Sequence, residues 1–293
     1  MFKLQKGDKV GIISPSCGLE NKDITPSLNY LKNQGLTPVL GKHINSQYRY
    51  MGGTDEERAS DIMNFFTDSE IKALFCTRGG AGSIRCLPYL DYETIRQNPK
   101  PIFGFSDTTA LQNGIFSQTK NISYSGFLLL YDFMHGNINP MQANDLNNII
   151  NGKHTSIISG ETVIGGSCEG TLIGGNIYAF MSLCGTPYFP NLNNKIILLE
   201  DVGIKSYQLD IMLQQLSLQK GFSNIKGLIF GQFENIQIVD ECDGTIDDNI
   251  NYFSKNLNIP IIKNFDYGHI PARHILPIGK KIHLDASLCT IVY

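Results

Sequence analysis

The chain has 293 residues, 42% hydrophobic and 17% charged, which is enough for a sizeable buried core and for two domains, and too apolar for a disordered protein. Its 24 basic and 27 acidic residues give a net charge of −3 with no Lys/Arg block, which argues against a nucleic-acid or membrane-surface partner. Seven cysteines, at 17, 76, 86, 168, 184, 242 and 289, form an odd set with no C-x-x-C pair, a pattern of buried thiols in a reducing compartment rather than a disulfide framework.

The start, Met1-Phe2-Lys3-Leu4-Gln5-Lys6-Gly7-Asp8, has no apolar h-region, so no secretory signal is expected and a cytoplasmic location is. No apolar run in the chain approaches the roughly 18 residues that suggest a membrane span. Residues 10–13 are a short apolar run after Gly7-Asp8 and read as a strand. Leu28 and Leu31 share a helical face, with Gly35 as the stop. A second short strand follows at 38–40. Thr54-Asp55-Glu56-Glu57 is a capping box, after which Ala59, Ile62, Met63 and Phe66 recur at helical spacing. A strand at 71–75, a short helix opening at 83–87, a strand at 101–105 and a helix over 107–118, with Ala110, Leu111 and Ile115 facing inward, complete this series.

Repeated β-α-β units call for a parallel sheet with helices on both faces, and ligands on such sheets sit at the carboxyl ends of the strands. Those ends are Ser14-Pro15-Ser16, Thr77-Arg78-Gly79-Gly80 and Ser106-Asp107. Residues 151–170 are rich in Gly, Ser and Thr with weak periodicity, which reads as the passage between domains. Beyond it the chain is more irregular and strand-rich, with strands expected at 170–173, 196–199, 227–230, 261–265, 281–284 and 289–292. The fold class expected is α/β: an N-terminal parallel-sheet α/β domain at 1–155, a linker at 156–168 and a C-terminal strand-rich α+β domain at 169–293.

Four segments could carry chemistry. In Gly104-Phe105-Ser106-Asp107-Thr108-Thr109 an apolar strand runs into Ser106 and a helix follows at once. A serine on so sharp a turn projects its hydroxyl above the sheet edge, and the N–H of Asp107 can face a developing oxyanion. Ser106 as a plain N-cap is the alternative, and Thr108 stands where the G-x-S-x-G elbow has its last glycine. Cys76-Thr77-Arg78-Gly79-Gly80-Ala81-Gly82-Ser83 lets backbone N–H groups approach an anion. It is not a dinucleotide fingerprint, because Arg85 stands at the third glycine. A tight packing turn remains the alternative. Ile196-Ile197-Leu198-Leu199-Glu200-Asp201 ends an apolar strand in two carboxylates, placed to orient a histidine or simply leaving the sheet into solvent. Gly268-His269-Ile270-Pro271 puts a histidine where it can act as general base, against the alternative of a structural histidine. Cys76 is a conceivable nucleophile without a neighbouring base. His269 and His274 are five apart and H-E-x-x-H is absent, so no metal site and no cofactor are expected.

Together with Gly11-Ile12-Ile13-Ser14-Pro15-Ser16, Gly174-Gly175-Asn176, Gly185-Thr186-Pro187 and Leu276-Pro277-Ile278-Gly279, these segments resemble, in order and over nearly the whole chain, the LD-carboxypeptidase (muramoyltetrapeptide carboxypeptidase) family, which includes microcin-immunity serine hydrolases. The resemblance implies a Ser-Glu-His triad of Ser106, Glu200 and His269, with the serine in the N-terminal domain, the other two in the C-terminal domain and the active site between them. It implies an oxyanion hole from the N–H groups of Asp107 and Gly80, and a murein peptide substrate whose terminal D-residue leaves. Arg78 and Arg85 are the candidates for that residue's carboxylate. Ala81 stands where the family usually has Tyr, which bears on substrate preference more than on catalysis. Two other readings stay open: an immunity-type hydrolase of a peptidyl-nucleotide analogue, and a non-catalytic two-domain binding protein. The sequence leaves the oligomeric state open, a homodimer included.

Overall fold

The computed structural model describes residues 2–293. The first half alternates as the apolar runs require: β1 (Lys9–Ile13), α1 (Thr25–Asn33), β2 (Thr37–Leu40), α2 (Asp55–Thr67), β3 (Ile71–Cys76), α3 (Tyr92–Gln97), β4 (Ile102–Gly104), α4 (Thr108–Thr119), β5 (Ser123–Ser125) and α5 (Pro140–Ile150). The capping box forms at the head of α2: Thr54 Oγ1 accepts from Glu57 N and Glu57 Oε2 accepts from Thr54 N, at 3.2 and 2.8 Å. The short helix expected from residue 83 is a 3-10 helix, Ser83–Tyr89.

The second half runs β6 (Ser156–Ile158), β7 (Glu161–Ile164), β8 (Ser167–Asn176), α6 (Ile177–Met181), β9 (Lys195–Val202), α7 (Ser206–Ser217), β10 (Gly227–Glu234), α8 (Ile246–Ser254), β11 (Ile261–Lys263), β12 (Leu276–Ile278), β13 (Lys281–Asp285) and β14 (Thr290–Val292). Two sheets result. The first has the order β12-β5-β4-β3-β1-β2, the second β6-β14-β13-β8-β9-β10-β11-β7.

The α/β first half and mixed second half are as expected, with two differences. The first sheet is parallel across β5-β4-β3-β1-β2, but β12 from the far end of the chain closes its edge antiparallel to β5. The stretch 156–168 is not irregular: β6 and β7 lie within it and form the two opposite edges of the second sheet, paired with β14 and β11. At the centre of that sheet β8, β9, β10 and β11 are parallel, which is why β9 and β10 carry short continuous apolar runs, at 196–199 and 227–230, without alternation.

The helix α4 joins the halves. Ala110, Leu111 and Ile115 are buried, in one core cluster with Leu74 and Ile102 of the first sheet and Leu172, Ile196 and Leu198 of the second. Asn113 exchanges two hydrogen bonds with the backbone of Gly174, each 2.9 Å. Thr109 Oγ1 accepts from Asn176 N at 3.1 Å. A side chain at Gly175 would meet Thr109 at 2.6 Å, so the glycine there permits the close approach. The head of α4 is thereby fixed against the end of β8.

Candidate active site

The elbow begins where β4 ends. Phe105 is buried, Ser106 takes a left-handed backbone conformation (φ +62°), and α4 starts two residues later. A side chain at Gly104 would run into Thr108, so the glycine ahead of the serine lets the helix turn back over the strand. Positive φ is uncommon for a non-glycine residue and marks a constrained position. The hydroxyl of Ser106 does not cap the helix; its partner is His269 Nε2, at 3.0 Å.

Behind the histidine, Nδ1 lies 2.7 Å from Glu200 Oε2, and Glu200 is fully buried. A carboxylate only accepts, so Nδ1 carries the proton and Nε2 is left to accept from the serine. Glu200 reaches this place because β9 ends beside β8 in the register Asn176↔Glu200. Side chains alternate along a strand, and Asp201 goes elsewhere. It accepts from Asn176 Nδ2 (2.8 Å) and Tyr178 N (3.3 Å), tying β9 to the junction of β8 and α6, and burial pushes its carboxyl up to about 6.

His269 follows Gly268, whose φ is +147°, in the loop between β11 and β12. Its ring lies 4.7 Å from that of Phe105. Arg273, fully buried, secures the same loop. It donates to the carbonyls of Gly126 and Ile270, pairs with the buried Asp132, and lies over the rings of Phe105 and Tyr131 at 4.4 and 4.9 Å. Neither Arg273 nor Asp132 stands in a motif that sequence reasoning could have singled out.

The glycine loop closes the other side. Gly80 and Gly82 have φ near +113° and +114°, strained for any side chain. A Cβ at Gly79 would lie 2.8 Å from Ser106 Cβ. The Asp107 carboxylate accepts from Gly82 N, Ser83 N and Ser16 Oγ at 3.2, 2.9 and 2.5 Å, binding the loop to the elbow. Among the described residues, the N–H groups of Gly80 and Asp107 donate to no protein acceptor.

These groups border a cavity of about 300 Å³, lined by Ser106, His269, Gly79, Gly80 and Arg78 together with the apolar Leu128, Leu130, Tyr131 and Met134. Arg78 lines it; Arg85 does not. The guanidinium of Arg85 is a fork on Asp55, at 2.9 and 2.7 Å, a bidentate pairing that removes it from the cavity. Lys22 also lines the cavity and carries no sequence signal. Cys76 is buried, which pushes its thiol up, away from thiolate chemistry at neutral pH. His274 pairs with Asp145 at 2.8 Å and is structural.

Comparison with known proteins adds to this geometry. Residues 10–126 match the LD-carboxypeptidase N-terminal domain and residues 169–284 the LD-carboxypeptidase C-terminal domain. The probable murein peptide carboxypeptidase of Bacillus subtilis is 30% identical over 99% of this chain and 92% of its own. The Microcin C7 self-immunity protein MccF of Escherichia coli is 27% identical over 96% of this chain and 93% of its own. The crystal structure of muramoyltetrapeptide carboxypeptidase from Oxalobacter formigenes superposes with a TM-score of 0.88 at 25% identity, covering 97% of each chain. The chain belongs to the LD-carboxypeptidase family.

Proposed function

We propose that the protein is a serine carboxypeptidase in which Ser106 attacks, His269 moves the proton and Glu200 holds the imidazole, and that it removes the terminal D-alanine of murein tetrapeptides. The observation that carries this reading is the continuous chain from Ser106 Oγ through His269 to Glu200, at 3.0 and 2.7 Å, with the serine on a left-handed elbow beside a cavity. His269 Nε2 takes the hydroxyl proton as Oγ bonds to the scissile carbonyl carbon. The same nitrogen then gives that proton to the leaving amine as the C–N bond breaks. In the second half-reaction it takes a proton from the water that attacks the acyl carbon, and returns it to Ser106 Oγ as the acyl group leaves. Glu200 fixes the tautomer and stabilises the imidazolium between these transfers. The N–H groups of Asp107 and Gly80 hold the oxyanion; losing one such donor typically raises the barrier by about 2.7–4 kcal/mol. Arg78 receives the terminal carboxylate. The nucleophile comes from the N-terminal domain and the other two residues from the C-terminal one. A place in the cytoplasm, in the recycling of murein peptides, fits the seven free thiols.

Mass spectrometry of products from murein tri-, tetra- and pentapeptides tests the substrate. The expected result is tripeptide and free D-alanine from the tetrapeptide; an untouched tetrapeptide contradicts it. A second reading, hydrolysis of a peptidyl-nucleotide analogue, is favoured by Tyr131 in the cavity wall, an aromatic face on which a base could stack. Such an analogue belongs in the same panel.

A further inference from the structure

The cavity has a second cation, and an acid of the protein's own lies between it and the first. The segment Leu19-Glu20-Asn21-Lys22 is a tight turn: Lys22 N donates to Leu19 O at 2.9 Å, and Glu20 and Asn21 both have positive φ, 52° and 62°, as in a type I′ turn. Asn accepts such a conformation readily, whereas Glu does so only where surrounding contacts hold it. Those contacts are present. Leu19 is buried, and Arg78 Nη1 donates to Gly18 O at 2.9 Å. The turn therefore holds Glu20 and Lys22 beside Arg78.

The carboxylate of Glu20 bridges the two cations. One oxygen lies 3.5 Å from Arg78 Nη1, the other 3.5 Å from Lys22 Nζ. Lys22 and Glu20 are each 47% exposed, Arg78 only 22%. Ion pairs this long and this exposed contribute little. The Nε and Nη2 groups of Arg78 have no protein partner among the described residues. Both cations line the cavity that holds Ser106 and His269. The corner thus has two positive groups, one weakly held negative group and unsatisfied guanidinium donors suited to a carboxylate.

We infer that Arg78 and Lys22 together form the clamp for the substrate's terminal carboxylate, and that Glu20 stands in for that carboxylate in the free enzyme and is displaced when substrate enters. The inference rests on the carboxypeptidase reading above. It makes Lys22 and Glu20 specificity determinants of opposite sign: Lys22 strengthens binding of a free carboxylate, and Glu20 competes with it.

Calorimetric binding of a murein tetrapeptide and of its C-terminal amide to the non-hydrolysing Ser106→Ala protein tests this, with Lys22→Met and Glu20→Gln introduced singly into that background. Lys22→Met is expected to weaken the acid roughly tenfold, the scale of one charge-assisted hydrogen bond, and to leave the amide nearly unchanged. Glu20→Gln is expected to tighten the acid by roughly threefold, the scale of an exposed ion pair. Equal affinity for acid and amide in the parent, no measurable binding of the acid, or an acid affinity unmoved by Lys22→Met would overturn the clamp. An acid affinity not raised by Glu20→Gln overturns the displaced stand-in. Wild-type turnover, measured in parallel, separates the two levels. A tetrapeptide bound through Lys22 but not cut contradicts the hydrolase reading alone, and one that is cut with an affinity insensitive to Lys22 contradicts the clamp alone.

Discussion

Ser106 occupies a backbone conformation that costs free energy for any residue with a Cβ, and the surrounding contacts keep it there: buried Phe105 before it, α4 after it and Gly79 against its side. The adjacent acids Glu200 and Asp201 divide their work by strand alternation. Glu200 faces the imidazole, while Asp201 faces Asn176 and the head of α6. Glu200→Gln should therefore lower kcat by a factor on the order of 10⁴, since an amide can stabilise the wrong tautomer, and Asp201→Asn should lower it far less. Steady-state kinetics of the two variants decide this, and a larger loss in Asp201→Asn would mean the wrong carboxylate has been assigned. Asp201 also makes a stability prediction. Its carboxyl titrates near about 3.9 in an unfolded chain and, pushed up by burial, at about 6 in the fold. Between those values the folded chain holds a proton that the unfolded chain has lost. This contribution is present in full below the lower value and is lost as pH rises through the upper one. Urea unfolding of wild type and Asp201→Asn at pH 4 and pH 7 should show the wild type losing ground to the variant by up to about 3 kcal/mol. A pH-independent difference would contradict the assignment.

The site depends on the close approach of the glycine loop and the elbow, and Gly79 is where they touch. Its φ is not in the positive range, so alanine fits the backbone there, but its methyl would sit 2.8 Å from Ser106 Cβ and 3.1 Å from Oγ. Gly79→Ala should cost roughly 1–3 kcal/mol of stability from overpacking and on the order of 10²-fold in kcat from displacing the proposed nucleophile. Urea unfolding and kinetics on the same preparation check both, and full activity would show that the loop is free to move away. The segments that carry this geometry were readable because each is an apolar run ended by an unusual polar residue or glycine: β3 before the glycine loop, β4 before Ser106, β9 before Glu200. Other elements gave weaker signals. The cap of α7 is Lys205, which makes no side-chain cap hydrogen bond, and the capping box of α8 has Asp248 where Glu or Gln is usual. Three-residue β12 contains Pro277, which reads against a strand and is tolerated because the strand lies at an edge. β6 and β7 are edge strands of three and four residues, too short for alternation to emerge from a run of Gly, Ser and Thr.

The two sheets meet through α4, and the proposed chemistry needs both. Ser106 lies at the head of that helix, Glu200 at the end of a strand of the second sheet, and His269 in a loop tied by Arg273 to Gly126 and Asp132 of the first half. The groups proposed for the chemistry were legible because Ser106 and Glu200 stand at or just beyond strand ends and all three follow motif order. The cavity wall was not, because Lys22, Tyr131 and Arg273 lie in loops without periodicity or motif and are brought to the site only by the packing of the halves. Arg85 shows the same limit from the other side, since only the fold reveals that Asp55 has claimed it. The measurement that tests the central claim most directly is the turnover of Ser106→Ala on a murein tetrapeptide, with urea unfolding of the same preparation to establish that the fold is kept. The account predicts a loss in kcat on the order of 10⁴-fold or more, as for removal of a serine nucleophile, with stability within about 1 kcal/mol of wild type. A folded Ser106→Ala that keeps more than roughly a hundredth of wild-type turnover, far above what binding and an oxyanion hole alone sustain, would contradict it.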